Sequence, residues 1–186
     1  MNPALRRSPL TLLLHWLTLL LMAVLLAVIL IRDDLEGKAL KTLLLNAHRS
    51  LGLLVFAAVL PRMILWSVHE WRHGKAAQPN AVLRWSAIGA HLAIYGFLIV
   101  LPILGWMTSN ARGQTVSLFG MINLPELTAM DTDYADDLVH YHETGAWILM
   151  GLLGLHIAAA LWHHFIRRDA TLRNMLPDRF SSPVKQ

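Results

Sequence analysis

The chain contains no cysteine. This absence excludes disulfides, iron–sulfur clusters and thiolate zinc sites, and it also excludes covalent haem attachment through a C-x-x-C-H motif. Charged residues are scarce too, at 15% of the 186 residues, where a soluble domain carries about a quarter. Because 55% of the residues are hydrophobic, we expect much of the surface to face lipid. The length favours a single domain.

Four apolar segments reach the length needed to cross a bilayer. They cover about residues 10–31, 48–68, 85–107 and 141–166. Pro61 and Pro102 lie inside two of them, which is compatible with membrane helices because neighbouring helices can satisfy the freed carbonyls. Arg6 and Arg7 precede the first segment as in a signal peptide, but the segment is too long and no A-x-A site closes it. The sequence therefore predicts a single all-α membrane domain over residues 1–186.

Basic residues concentrate in the segments expected on one side of the membrane. The N-terminus, the second connection and the C-terminus contain Arg6, Arg7, Arg72, Lys75, Arg84, Arg167, Arg168, Arg173, Arg179 and Lys185, against Glu70, Asp169 and Asp178. The other two connections contain Arg32, Lys38, Lys41 and Arg112, against Asp33, Asp34, Glu36, Glu126, Asp131, Asp133, Asp136 and Asp137. The positive-inside rule places both termini in the cytoplasm. We expect a multi-pass protein of the bacterial inner membrane, folded as an up-down-up-down bundle of four transmembrane helices.

Two histidines of the fourth segment share one helical face at two depths. His142 and His156 are 14 residues apart, which corresponds to a rise of about 21 Å and a rotation to within about 40° of the starting direction. Ionisable side chains at such depths are costly and indicate function. His15 and His48 lie near the ends of the first and second segments. The topology matches His15 with His156 on the cytoplasmic side and His48 with His142 on the outer side.

Paired neutral imidazoles at one depth are typical axial ligands of haem iron. The four histidines therefore predict two non-covalent haem b groups held inside the bundle. For a single histidine in a soluble core, a hydrogen-bonded core residue would be the favoured interpretation; two depth-matched pairs in lipid favour haem ligation. Arg62 lies at the level of the inner pair and is expected either to bind a haem propionate or to extend to the interface. Arg49 poses the same choice on the outer side.

Further histidines of the apolar segments suggest a quinone site. His91 lies on the inner half of the third segment, where it either replaces His15 as a ligand or donates to a quinone carbonyl. His163 and His164 end the fourth segment, where reduction of a quinone requires protons and histidine titrates in the useful range. The alternative is a favourable interaction with the helix C-terminus. No residue is assigned as catalytic. His69, His73 and His140 are interpreted as loop or interface residues.

Motifs along nearly the whole chain resemble those of the bacterial cytochrome b561 family, the four-helix di-haem b proteins of the inner membrane. The matching pieces are His15-Trp16, His48-x-Ser50-x-Gly52, His91-Leu-x-Ile-Tyr95, Leu101-Pro102-Ile103-x-Gly105, Asn110-x-Arg112-Gly113, His142-Glu143-Thr144, Gly154-Leu-His156, His163-His164, Asp169-x-Thr171-Leu172 and Met175-x-Pro177. The resemblance implies the ligand pairs His15/His156 and His48/His142.

A branch of that family oxidises superoxide in the periplasm and reduces ubiquinone, and it associates the first histidine of the terminal pair, here His163, with quinone. By resemblance, we expect a di-haem oxidoreductase that passes electrons from a periplasmic donor to ubiquinone, with superoxide as the first donor to test. The acidic outer loop opposes an anionic donor. Arg49, Arg112, Lys38 and Lys41 would have to form a local positive funnel.

Two other functions remain open from the sequence. One is a cytochrome b subunit that anchors a dehydrogenase or hydrogenase and relays its electrons to quinone; an extra helix or an extended docking surface would indicate it, and the sequence shows neither. The other is a non-haem metal or proton transporter that uses the histidines and has no haem absorbance. The expected partners are lipid and quinone. No nucleic acid is expected, because the basic residues lie at the ends of membrane segments.

Overall fold

The computed structural model describes residues 7–77 and 80–176, with the side chains of 74–77 excepted. Within these ranges it contains four long helices: α1 (Pro9–Asp34), α2 (Lys38–Ala77), α3 (Ala81–Ala111) and α4 (Thr132–Trp162). Each of them is long and apolar enough to cross a membrane. The prediction of an all-α bundle of four transmembrane helices is confirmed. Arg6, Pro177, Asp178, Arg179 and Lys185, which entered the sequence predictions, lie outside the described residues.

Polar caps fix where three of the helices begin. The Ser8 hydroxyl accepts a hydrogen bond from the Thr11 amide at 3.2 Å, just before Pro9 at the first helical position. The Asn80 side chain accepts from the Leu83 amide at 3.1 Å. Asp131 does the same for the Tyr134 amide at 3.0 Å. Each cap satisfies an amide that has no partner inside the helix.

The observed helices extend beyond the predicted segments, and the predicted bounds are wrong at several ends. α2 runs over Lys38–Ala77 instead of 48–68, so the loop interpretation of His69 and His73 is wrong, while their interpretation as interface residues stays a prediction. α4 begins at Thr132 instead of 141. The physical reason is that an apolar run marks only the part of a helix that crosses lipid, whereas caps and turn residues determine where the helix ends.

The four helices pack as two hairpins, and two of the remaining helix pairs do not pack closely against each other within the described residues. α1 packs along α2, α3 packs along α4, and the hairpins meet through α2 and α3. In the described part of the chain, α4 makes no extended contact with either α1 or α2. Val55, Val59, Leu98 and Leu149 are buried at the centre. Many other apolar side chains face outward, and lipid must solvate them.

The connection between α3 and α4 folds into a small β-hairpin, which the sequence did not predict. Strand β1 (Ser117–Leu118) pairs antiparallel with β2 (Ile122–Asn123). The fully buried Ser50 of α2 holds this hairpin, because its hydroxyl donates to the Ser117 carbonyl at 3.2 Å and accepts from the Phe119 amide at 2.9 Å. The hairpin is thereby fixed two residues along the chain from His48.

The chain after α4 turns back toward α1. A π-helical turn over His163–Arg167 ends at Arg168, whose φ of 55° is left-handed. The Trp16 indole then donates to the Met175 carbonyl at 2.7 Å. This contact places the two described ends of the chain at the same end of the bundle, called here the terminal end. The end that carries the β-hairpin is called the loop end.

Candidate haem and quinone sites

His48 and His142 face each other near the loop end. Their ring centroids are 6.2 Å apart and the ring planes cross at 75°. An imidazole nitrogen binds a transition-metal ion at about 2 Å, so two axial imidazoles with iron between them place their centroids about 6 Å apart. The observed spacing therefore fits iron between the rings. α2 and α4, which carry the two histidines, make no extended contact with each other in the described part of the chain.

Backbone carbonyls fix the tautomer of both rings. His48 Nδ1 lies 3.3 Å from the Leu25 carbonyl oxygen, and His142 Nδ1 lies 3.0 Å from that of Leu101. A carbonyl can only accept, so each Nδ1 carries the proton and donates. Each Nε2 keeps its lone pair. This arrangement is typical of metal-binding histidines, whose other ring nitrogen donates to a carbonyl or carboxylate.

Gly105 allows His142 to approach α3. A Cβ at Gly105 would lie 3.3 Å from His142 Cε1 and 3.5 Å from its Nδ1. The contact with Cε1 is tighter than ordinary packing, so a side chain here would shift the imidazole relative to the Leu101 carbonyl, to which it donates.

We therefore expect Gly105→Ala to weaken haem retention at the loop end by about 10-fold to 100-fold, the usual cost of disturbing a ligand's hydrogen-bond partner. The measurement is the rate of haem transfer to excess apomyoglobin, together with the redox potential. Gly96→Ala is the matched control on the same helix, because a Cβ there meets nothing within 4 Å. Identical transfer rates for both variants would contradict the role assigned to Gly105.

A second polar cluster lies deeper toward the terminal end. The inner cluster consists of His15, Arg62, His91, Tyr95 and His156. The His91 and His156 rings meet edge to face at 5.4 Å. Arg62 lies over the Tyr95 ring at 5.4 Å and contacts His15 Nδ1 at 2.9 Å. Trp66 stacks on His91 with centroids 5.4 Å apart.

The tautomers of this cluster differ from those at the loop end. Arg62 can only donate, so His15 Nδ1 accepts and its Nε2 carries the proton. His91 Nδ1 lies 2.6 Å from the Ala87 carbonyl and therefore donates to it. The structure does not bring His15 and His156 into the ring-to-ring arrangement seen for His48 and His142. Ligation by His15 requires Arg62 to leave its Nδ1.

Two further arginines bear on anion binding. Arg7 Nη1 is buried and has no hydrogen-bond partner in the described part of the chain. Burial lowers the pKa of this guanidinium, and attraction to Glu70 offsets part of the effect. A buried unpaired donor of this kind suits a carboxylate such as a haem propionate. Arg49 instead donates to the side chains of Asn46 and Gln114 at the loop end.

At the terminal end, His163 is bound to Asp169. Its Nδ1 lies 2.5 Å from Asp169 Oδ2, while the other carboxylate oxygen accepts from the Thr171 amide at 2.9 Å. Partial burial raises the pKa of Asp169, but the hydrogen bonds from His163 and Thr171 outweigh it, and the net pKa lies below its ordinary value. The neighbouring His164 stacks edge to face with Phe165 at 4.8 Å.

The sequence did not assign a role to Asp169, Gly105 or Tyr95. The Asp169-x-Thr171 motif was visible, but only the π turn shows that it folds onto His163. The carbonyls of Leu25 and Leu101 carry no sequence signal, because any residue supplies the same backbone group. The residues present fit a b-type haem at the loop end, since they supply two neutral imidazoles at ligand spacing.

Four membrane-crossing helices with paired imidazoles between unpacked helices define a membrane protein of the cytochrome b class. Residues 6–178 match the family described as prokaryotic cytochrome b561, and the chain belongs to this family. The protein is accordingly a multi-pass bacterial membrane oxidoreductase of a family that binds b-type haem.

Three relatives illustrate the similarity. Cytochrome b561 homolog 2 of Escherichia coli K12 is 34% identical over 129 residues, covering 69% of this chain and 68% of the relative. Cytochrome b561 homolog 1 of the same organism is 29% identical over 168 residues, covering 89% and 94%. A probable superoxide oxidase CybB of Yersinia pestis is 29% identical over 168 residues, covering 89% and 92%.

Proposed function

We propose that the protein is a di-haem b oxidoreductase of the bacterial inner membrane that passes electrons from periplasmic superoxide to ubiquinone. The single observation that carries the proposal is the 6.2 Å spacing of the His48 and His142 rings, with both Nδ1 atoms held by carbonyls. His15 and His156 are the ligands proposed for the second haem. The haems supply one-electron carriers at two depths of the membrane.

The residues of the chain hold and tune these groups. Carbonyl hydrogen bonds orient the imidazoles at the loop end, and α4 makes no extended contact with α1 or α2 in the described residues. Arg62 and Arg7 supply buried positive charge for propionates. The described residues contain no group of three or more ligating side chains that could hold a bare metal ion, which favours haem over a metal-transport site.

The orientation follows from charge. Arg84, Arg167 and Arg173 lie toward the terminal end, and the positive-inside rule assigns that end to the cytoplasm. The loop end then faces the periplasm. There Arg112 binds Asp136 at 3.2 Å and offsets one of the acids that would repel superoxide. The superoxide assignment is supported by the name of the Yersinia relative.

The reaction balances with two superoxide ions oxidised to two dioxygen molecules while one ubiquinone takes up two electrons and two protons. We expect the detergent-purified chain to contain two non-covalent b haems, to be reduced promptly by superoxide, and to form ubiquinol when ubiquinone is present. Haem content, the reduced spectrum and ubiquinol yield are measured against the same chain without superoxide. If the chain contains two haems that superoxide does not reduce, the assignment of superoxide as the donor is wrong. A chain without haem would contradict the whole proposal.

A further inference from the structure

The turn after α4 has a geometry that brings a carboxylate onto His163. The α-helix widens into a π turn over His163–Arg167, and Arg168 adopts a left-handed φ of 55°. As a result the Asp169 amide donates to the His163 carbonyl at 3.1 Å, and its side chain reaches His163 Nδ1. π turns and left-handed non-glycine residues are unfavourable locally and concentrate at functional sites.

We propose that Asp169 is a positioning residue for His163, and that the pair delivers a proton to ubiquinone at the terminal end of the bundle. This inference rests on the proposed function and deepens it, because it names the groups that protonate the acceptor. Asp169 holds Nδ1–H, so the other ring nitrogen, Nε2, points away from the carboxylate and is the atom that meets a quinone carbonyl.

The pair can carry a proton without leaving an unpaired charge. When the ring holds two protons, Nδ1–H faces the carboxylate as an ion pair and Nε2–H is free to be donated. Reduction of ubiquinone to ubiquinol uses two electrons, which the two superoxide ions of the proposed reaction supply, and two protons, which convert both C=O groups to C–OH. His163 supplies one proton and water at the cytoplasmic surface supplies the other. Asp169, with 32% of its side chain exposed, lets the pair be reprotonated from that surface.

The charged neighbours favour an ionised carboxylate. Arg167 Nε lies 3.9 Å from Asp169 Oδ2, and Arg173 reaches the Asp169 backbone carbonyl at 3.5 Å. From α1, the element that the returning segment contacts, the ring of Trp16 holds the Met175 carbonyl, and the nearby ionisable group His15 is bound by Arg62. Thr171 completes the carboxylate's hydrogen bonds.

His163 is better suited to this role than His164. Both lie on the same turn, yet the described contacts of His164 are with the Phe165 ring, whereas those of His163 include the carboxylate. The Trp162 ring lies edge to face against His163 at 5.2 Å and fixes its other side. A ring held on two sides presents its remaining nitrogen in one direction.

The test isolates the step from haem to quinone. The haem-loaded protein is reduced anaerobically with a limiting amount of dithionite and mixed with a short-chain ubiquinone in a stopped-flow cell. Haem reoxidation is followed from about pH 6 to about pH 9, because proton transfer by a general acid makes the rate depend on pH. The variants are Asp169→Asn, Asp169→Glu and His163→Gln. Asp34→Asn, an exposed acid at the loop end, is the matched control.

We expect Asp169→Asn to slow reoxidation by about 100-fold at high pH and by less at low pH, because general acid catalysis contributes about 100-fold or more. The quinone concentration at half-maximal rate should change little. Asp169→Glu should restore most of the rate, and Asp34→Asn should match the wild type. His163→Gln should be slow and lose the pH dependence, and the double variant should be no slower.

The outcomes separate this inference from the proposed function. If the wild type reduces ubiquinone and Asp169→Asn follows the wild-type pH profile with full haem content, the role of Asp169 is overturned and the proposed function stands. If the wild type does not reduce ubiquinone, both are overturned. If the Asn variant loses haem, the comparison of His163→Gln with the wild type decides, and an unchanged pH profile there also overturns the inference.

Discussion

Replacing His142 with alanine is expected to remove one haem per chain and to leave the other in place, so that haem content falls by about half. The ring of His142 faces that of His48 at 6.2 Å, and both Nε2 atoms are available because the Nδ1 atoms donate to carbonyls. Loss of either imidazole would leave a haem bound here with one protein ligand instead of two. His48→Ala should therefore give the same result.

The measurement is haem per chain by the pyridine haemochrome method, with a redox titration to identify which haem is lost. His140→Ala is the matched control, since His140 lies on the same helix but is exposed. It should keep both haems and both potentials. Retention of two haems in His142→Ala would contradict the assignment of this pair, and so would loss of haem in the His140 control.

The four-helix architecture was predictable from the sequence because few backbone structures can cross a bilayer. Apolar length defines a membrane crossing, and alternation of crossings then fixes the depth of every residue. For this reason His48 and His142 could be matched across 94 positions of sequence, and the structure brings their rings together. Their role as ligands stays a prediction.

Local geometry was less predictable. The ends of α2 depend on caps and turns outside the apolar window, and the β-hairpin depends on Ser50, whose hydroxyl meets it only in the folded chain. The contact of Asp169 with His163 depends on the π turn and on the left-handed Arg168, a conformation for which a non-glycine residue gives no sequence signal. The tautomers of His48 and His142 could not be predicted either, because backbone carbonyls determine them and any residue supplies a carbonyl.

The second large effect concerns the inner cluster, where two histidines compete to pair with His156. We expect His156→Ala and His15→Ala each to remove the haem that His142→Ala retains, and His91→Ala to keep two haems. The packing favours His15, because α1 and α4 make no extended contact in the described residues, so a group between them would displace little existing packing. His91 and His156 lie instead on α3 and α4, which pack closely.

Ring spacing points the same way. The 5.4 Å between the His91 and His156 centroids is shorter than the roughly 6 Å that two imidazoles on one metal ion require, and Trp66 stacks on His91. Arg62 contacts His15 Nδ1, and its guanidinium would exchange this imidazole for a haem propionate, since an Arg–carboxylate pair forms two charge-assisted hydrogen bonds. When Arg62 moves to a propionate, His15 Nδ1 can take up the proton, and Nε2 then has a free lone pair for the iron.

Haem content and the low-temperature electron paramagnetic resonance spectrum of the three variants distinguish the two pairings, because loss of one axial imidazole changes the spectrum of the haem concerned. Arg62→Lys is a useful companion, since it keeps the charge but not the forked geometry. It should retain both haems and shift only the potential of the inner one. Loss of a haem in His91→Ala, with two retained in His15→Ala, would assign His91 as the ligand and reverse the proposed pairing.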